Sequence, residues 1–227
     1  MTRLGLTQRV SVVEAYGERR DCLDQAWTTL LEPAGYTPIL LPNEITDVGG
    51  YLEDLALDGV VLTGGNDLAH LDEASNPAPE RDRFEAAVLE WALTGDVPVL
   101  GVCRGLEFLN HHLGGSLSPV DGHVATEHPV VFDRNTASRD RPLDSPVLAG
   151  LDLPDRVAVN SYHDYGIRPE DLAAPLVAVG TAPDGSVEYA VHREKPVCAV
   201  MWHPEREGSA GLDRKLLGSL FGGETHG

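Results

Sequence analysis

The sequence predicts an α/β three-layer sandwich with a mostly parallel central sheet, and three observations carry that prediction. Short apolar runs alternate with amphipathic stretches through the first half of the chain. Those runs are apolar throughout, as strands covered on both faces must be. One of them, Val97-Pro98-Val99-Leu100, leads through Gly101-Val102-Cys103-Arg104-Gly105 straight into a helical pattern, the form of a nucleophile elbow.

The elements follow in order. Leu4 to Thr7 reads as a first strand, Arg20 to Ala34 as a helix with Leu23, Ala26, Trp27, Leu30 and Leu31 on one face, and Thr37 to Leu41 as a second strand. Gly59 to Thr63 is a third strand ending in Gly64-Gly65, and Arg81 to Leu93 a helix with Phe84, Ala87, Val88 and Trp91 in register. Val97 to Val102 is the fourth strand, and the helix that follows stops at Gly114-Gly115. Ser116 to Asp155 is turn-rich and polar, and leaves open whether it forms a lid. Val157 to Asn160, Leu176 to Val179, Val187 to Val191 and Val197 to Trp202 read as short strands, small antiparallel additions feeding back to the main sheet. Pro183-Asp184-Gly185-Ser186 is a turn between two of them. Leu212 to Phe221 closes the chain as a helix before a loose tail at 222–227.

The chain has 227 residues, 42% of them hydrophobic, which fits one domain over 1–227. Three Cys without paired spacing suit a reducing, cytoplasmic setting. No signal-like N-terminus or membrane-length apolar run is present. A net charge of −19 disfavours nucleic acid and anionic membrane as partners. An anionic substrate therefore needs a local basic pocket.

Cys103 is the candidate nucleophile. A strand turning sharply into a helix exposes the residue at the turn, and glycines two places either side relieve the clashes. The helix N-terminus favours the thiolate. A buried structural Cys in a Gly-rich turn fits the same five residues. A thiol nucleophile needs a base and a group to orient it. His203 and Glu205, two apart after an apolar strand and held extended by Pro204, could supply both. The backbone N–H groups of Arg104 and Gly65 are candidate oxyanion donors, with Gly64 letting the backbone approach a substrate. Asp67 either ties down the following loop or caps the turn. His111, His112, His123 and His128 match no metal-ligand spacing, so neither metal nor other cofactor is expected. Cys22, placed in the predicted helix, and Cys198, in a strand, read as small core residues.

Gly101-Val102-Cys103-Arg104-Gly105, Thr63-Gly64-Gly65-Asn66-Asp67, Val159-Asn160-Ser161-Tyr162-His163 and Trp202-His203-Pro204-Glu205, in this order, resemble the class I glutamine amidotransferase superfamily. Within it the chain is most similar to the stand-alone γ-glutamyl hydrolases of the peptidase C26 group, over roughly Arg3 to Phe221. The resemblance implies a Cys103-His203-Glu205 triad acting on a small-molecule γ-glutamyl substrate through a glutamyl thioester. It also implies that Ser161, Tyr162 and His163 hold the glutamyl group, partly through backbone. Glu107 stands where the family usually has Gln; a carboxylate there favours the substrate's α-ammonium and repels its α-carboxylate. His163-Asp164-Tyr165 also departs from the His-His-Gln or His-x-Asp of many relatives, so leaving-group preference can differ. Around Thr7-Gln8-Arg9, Tyr16, Glu18, Arg19 and Trp27 the chain is similar to a branch acting on γ-glutamyl-CDP-amidate. Arg9, Arg19 and Arg20 could offset phosphate charge there, or be solvated surface arginines. Two other functions share the fold: a glutaminase subunit passing ammonia to a separate synthetase, and a non-catalytic binding protein. A homodimer is compatible with the sequence.

Overall fold

The computed structural model describes residues 1–133, 145–149, 151–206 and 210–222. A nine-stranded sheet runs through the molecule. Its elements in chain order are β1 (Thr2–Thr7), β2 (Arg9–Val13), β3 (Glu18–Cys22), α1 (Ala26–Leu31), β4 (Tyr36–Leu41), α2 (Val48–Leu55), β5 (Gly59–Leu62), α3 (Pro79–Gly95), β6 (Val99–Val102) and α4 (Arg104–His112). Then follow β7 (Ser118–Pro119), β8 (Val124–Phe132), β9 (Arg156–Tyr162), β10 (Tyr165–Gly166), β11 (Leu176–Thr181), β12 (Val187–His192), β13 (Val197–Val200) and α5 (Ala210–Phe221). The sheet order is β4-β1-β5-β6-β13-β12-β11-β8-β9. Strands β4 to β13 in that order pair in parallel, and the remainder are antiparallel.

Strands β5, β6 and β13 are apolar throughout because each feeds two cores. Val61, Leu100 and Val102 face a cluster with Trp27 and Leu31 of α1 and Leu216, Leu217 and Leu220 of α5. Val60, Leu62 and Val99 face the opposite cluster, with Leu52 of α2, Phe84 and Val88 of α3, and Leu106 and Leu109 of α4. These two layers of helices cover the sheet, as predicted.

Three local expectations are corrected. The helix expected over Arg20 to Ala34 shrinks to α1, because Glu18–Cys22 is a strand paired with Arg9–Val13. Gly17 turns this hairpin at φ +73°, and Asp21 holds its base by accepting hydrogen bonds from Asn43 N at 3.0 Å and Nδ2 at 2.6 Å. Cys22 accordingly sits in a strand beside the central cavity rather than in a helical core. Helix α2 falls where none was predicted. The turn-rich segment 116–155 contains the nine-residue strand β8. Its residues 134–144 and 150 lie outside the described residues, as does the tail beyond Gly222. Among the described residues no helix is long and apolar enough to cross a membrane.

Candidate active site

The parallel strands end together at one cavity of about 630 Å³. Thr63-Gly64-Gly65 leaves β5, Cys103 leaves β6, and His203 follows β13; all line the cavity. Ligands in open parallel sheets bind at this edge.

Cys103 has φ +53° and ψ −109°, a conformation that L residues rarely adopt and that costs about 1–3 kcal/mol. Its N–H is anchored to the Val200 carbonyl at 2.8 Å. The flanking glycines are required by space. A Cβ on Gly105 would sit 2.1 Å from the Leu62 carbonyl oxygen, and one on Gly101 would sit 2.9 Å from Ala199 Cβ and from Gly105 backbone. The expected thiolate preference is not met in the resting protein. Burial pushes the Cys103 thiol well above its ordinary value, and Glu107 raises it further, against a backbone hydrogen bond from Arg104 that lowers it. Cys103 is 7% exposed, so desolvation outweighs the helix terminus.

His203 Nδ1 lies 2.7 Å from Glu205 Oε1, as the two-residue spacing predicted. Asn160 clamps the backbone of His203 from both sides: its Nδ2 donates to the His203 carbonyl, and its Oδ1 accepts from the His203 N–H, both at 2.9 Å. Trp202 is anchored by Nε1 donating to Asp213 at 2.9 Å. Tyr162 packs edge-on to the imidazole at 5.7 Å, and the Arg206 guanidinium covers the Tyr162 ring at 4.4 Å. A Cβ on Gly64 would stand 2.8 Å from His203 Cε1 and 3.6 Å from Cys103 Cβ. Gly64 therefore lies against both side chains.

Below the glycine loop is a buried ion network that sequence reasoning missed. Arg81 of α3 donates to the carbonyls of Thr63, Gly64 and Gly65, and its Nε donates to Glu85 at 2.8 Å. The Arg104 side chain pairs with Glu85 and Asp82. Arg81, Glu85 and Arg104 are at most 1% exposed. Burial and the neighbouring Arg104 draw Arg81 down to about 10, while both arginines hold Glu85 below its usual range despite burial. With its carbonyls committed to Arg81, the loop 63–65 cannot rotate freely. The charged pattern in Arg81 to Glu85 was visible, but only the fold brings it under Gly64. Asp67 ties the next loop, accepting from Ser75 N at 2.7 Å and Asn76 N at 3.0 Å.

The remaining predicted residues divide. Arg9 lines the cavity; its Cδ would be 2.9 Å from a Cβ on Gly65, and it has no carboxylate partner among the described residues. Asn66 positions the β2–β3 hairpin, exchanging hydrogen bonds with Val10 N and O at 2.7 and 2.9 Å. Arg19 does not line the cavity, because its Nε donates to Glu80 at 2.6 Å. Arg20 likewise pairs with Glu18 at 2.7 Å. Tyr162 and His163 line the cavity, but Ser161 is fully buried and its hydroxyl donates to the His123 carbonyl at 2.7 Å. Glu107 lines the cavity with its carboxyl raised to about 7, chiefly by burial, with His163 and Arg104 pulling the other way. His163 is raised: Glu188, the Tyr165 carbonyl and Glu107 together outweigh its burial. His123 and His128, thought unrelated to any ligand pattern, meet His163 and Glu188 in one group.

The fold is that of the glutamine amidotransferases. The chain belongs to the peptidase C26 family, whose model matches residues 4–205. It is 30% identical to the γ-glutamyl-CDP-amidate hydrolase of Campylobacter jejuni over 90% of each chain. It is 33% identical to the glutamine amidotransferase-like protein YvdE of Lactococcus lactis, over 80% of this chain and 79% of that one. Among solved structures, a glutamine amidotransferase from Thermotoga maritima matches with a TM-score of 0.62 at 18% identity, covering 95% of this chain and 80% of that one. A GMP synthase-type chain from Thermoplasma acidophilum matches with a TM-score of 0.70 at 19% identity, covering 98% and 93%.

Proposed function

We propose that the protein hydrolyses a γ-glutamyl amide through a thioester on Cys103. The observation that carries this reading is the strained Cys103 facing, across Gly64, an imidazole whose Nδ1 is held by Glu205. That hydrogen bond leaves Nε2 of His203 as the base.

Because burial favours the thiol form of Cys103, the nucleophile forms during the reaction. His203 takes the Cys103 proton as sulfur bonds to the γ-glutamyl carbonyl carbon, and the oxyanion is received by the N–H groups of Gly65 and Arg104. The C–N bond then breaks, and the proton on His203 passes to the leaving nitrogen. Water adds to the thioester as His203 takes its proton; the C–S bond then breaks, the proton passes from His203 back to the Cys103 sulfur, and glutamate leaves. Gly64, Glu107, Tyr162, His163 and the backbone of Ser161 form the glutamyl pocket. A carboxyl at position 107 that titrates near neutrality can receive a substrate ammonium while repelling a carboxylate less than a permanent anion would.

The leaving group proposed is a nucleotide phosphoramidate, with γ-glutamyl-CDP-amidate as substrate. The Campylobacter relative supports this, as does Arg9, a cation lining the cavity of an acidic protein and without a carboxylate partner among the described residues. The cavity volume suits a nucleotide-sized ligand. Glutamate release by wild type and Cys103→Ala from γ-glutamyl-CDP-amidate, γ-glutamyl-γ-aminobutyrate and glutamine tests the reading. Turnover of the first, reduced at least about 10⁴-fold in the variant, is expected. Turnover confined to glutamine would replace it with an ammonia-supplying glutaminase.

A further inference from the structure

Beside the cavity, the antiparallel strands gather a second polar group that the proposed reaction does not use. His123 precedes β8, His128 lies within it, His163 follows β9, and Glu188 is in β12. One ligand atom from each falls within 4.8 Å of all the others. Glu188 is 0% exposed, His163 4% and His123 5%.

The hydrogen bonding within the group is incomplete in a specific way. Among the described residues, neither carboxylate oxygen of Glu188 has a hydrogen-bond partner, nor has Nε2 of His128 or of His163. Nε2 of His128 and of His163 each stop 3.6 Å from Glu188 Oε1, and His123 Nδ1 stops 3.8 Å from it. These separations are too long for hydrogen bonds. They are close to the edge of a tetrahedron whose centre lies about 2.1 Å from each corner, an edge of about 3.4 Å. A buried carboxylate with no donor is costly, and a central cation removes that cost.

The outward-facing nitrogens make the same point independently. His163 Nδ1 donates to the Tyr165 carbonyl at 2.6 Å. His123 Nε2 faces Asp184 Oδ2 at 3.3 Å, and His128 Nδ1 is directed at the Pro129 carbonyl at 3.4 Å. Ser161 Oγ, 3.4 Å from His123 Nδ1, already donates its proton to the His123 carbonyl. Each ring thus places its N–H on an outer carbonyl or carboxylate and turns its lone pair to the centre. Metal-ligating histidines are held in this way.

We propose that His123, His128, His163 and Glu188 form a binding site for a divalent transition metal, with Zn²⁺ the best match. Three imidazoles and one carboxylate without a thiolate suit Zn²⁺, and a complete four-ligand set marks a structural site rather than one with an open coordination position. The ion ties β8, β9 and β12 together. Through His163 it also fixes the wall of the cavity, and it commits His163 Nε2 so that this ring cannot donate a proton to substrate. The site stands apart from the identity of the substrate.

The test uses the Cys103→Ser chain, which removes the cavity thiol as a competing ligand. After stripping with chelator, reloading with Zn²⁺ and dialysis, one ion per chain is expected, with a raised thermal midpoint. Co²⁺ should give tetrahedral d–d bands without a thiolate charge-transfer band. His128→Gln in the same background should abolish stoichiometric binding. Asp184→Asn keeps all four ligands and should weaken Zn²⁺ about 10–100-fold, so it carries the test if the ligand variant fails to fold. Absence of stoichiometric Zn²⁺, or affinity unchanged by both substitutions, overturns the proposal and leaves a buried imidazolium–carboxylate group.

Discussion

Two buried charged clusters flank the cavity, and they are built on opposite plans. Arg81, Glu85, Arg104 and Asp82, on the parallel side of the sheet, pair with one another and with three loop carbonyls. His123, His128, His163 and Glu188, on the antiparallel side, leave four inward atoms without hydrogen-bond partners among the described residues. The first cluster meets its charges within the protein, with Nε of Arg104 its one buried side-chain atom lacking a partner among the described residues, and serves to hold backbone: the glycine loop and the turn at Cys103. The second is a set of donors and acceptors around an unmet centre. A buried charge can therefore mark scaffolding or a ligand site, and the difference lies in whether its carboxylate is met, as that of Glu85 is by two arginines and that of Glu188 is not.

The largest effect should come from opening the closed cluster. Glu85→Ala leaves Arg81 and Arg104 buried without their shared carboxylate, and should cost about 3–5 kcal/mol in urea denaturation. A loss under about 1 kcal/mol would mean that the network is not a support. Next is the elbow those residues brace. Gly105→Ala drives a methyl into the Leu62 carbonyl and should destabilise by about 1–3 kcal/mol, with loss of activity; an active variant of native stability would show that the turn is not tightly packed.

Glu107 lies between the clusters and gives a pH signature. Its carboxyl is raised from 4.5 to about 7, so in that interval the native state holds a proton that the unfolded chain has released. Stability contributed by this group therefore falls as pH rises from about 4.5 to about 7. Glu107→Gln should remove that fall, and the variant should gain about 1–3 kcal/mol on wild type across the interval. Parallel stability–pH curves would place an ionised carboxylate in the cavity instead. The smallest effect on stability is expected at Gly64. Gly64→Ala pushes on the movable His203 ring, and should lower kcat about 10–100-fold while changing stability by less than about 1 kcal/mol. Equal damage to stability would assign Gly64 to the scaffold.

The same contrast explains what the sequence could reveal. The elbow and the His203–Glu205 pair are local, so their spacing carries their geometry, and the paired flanking glycines at 101 and 105 announce the close approach. The hairpin β2–β3 was hidden because most of its residues are exposed, leaving no buried face to produce alternation. Leu23 to Leu31 meanwhile imitated a longer helix. Strand β8 was masked by turn residues and by Pro129, which is tolerated where β8 pairs with β9, since β11 is bonded on the other side only at Val131 and Phe132. Arg81 was legible as a helical residue but not as the brace of Gly64. The His–Glu group is drawn from three strands far apart in sequence, so no spacing could display it. His123 and His128 drew notice but had no partner until the fold supplied His163 and Glu188.

All of these supports converge on one atom, the sulfur of Cys103. Wild-type and His203→Ala protein should be mixed with γ-glutamyl-CDP-amidate, quenched in acid within the first turnovers, digested and read by mass spectrometry. A glutamyl adduct on the peptide carrying Cys103 is expected in the wild type, sensitive to hydroxylamine as a thioester is, and forming far more slowly in His203→Ala. Steady turnover with no adduct on that peptide, persisting in Cys103→Ala, would contradict that expectation.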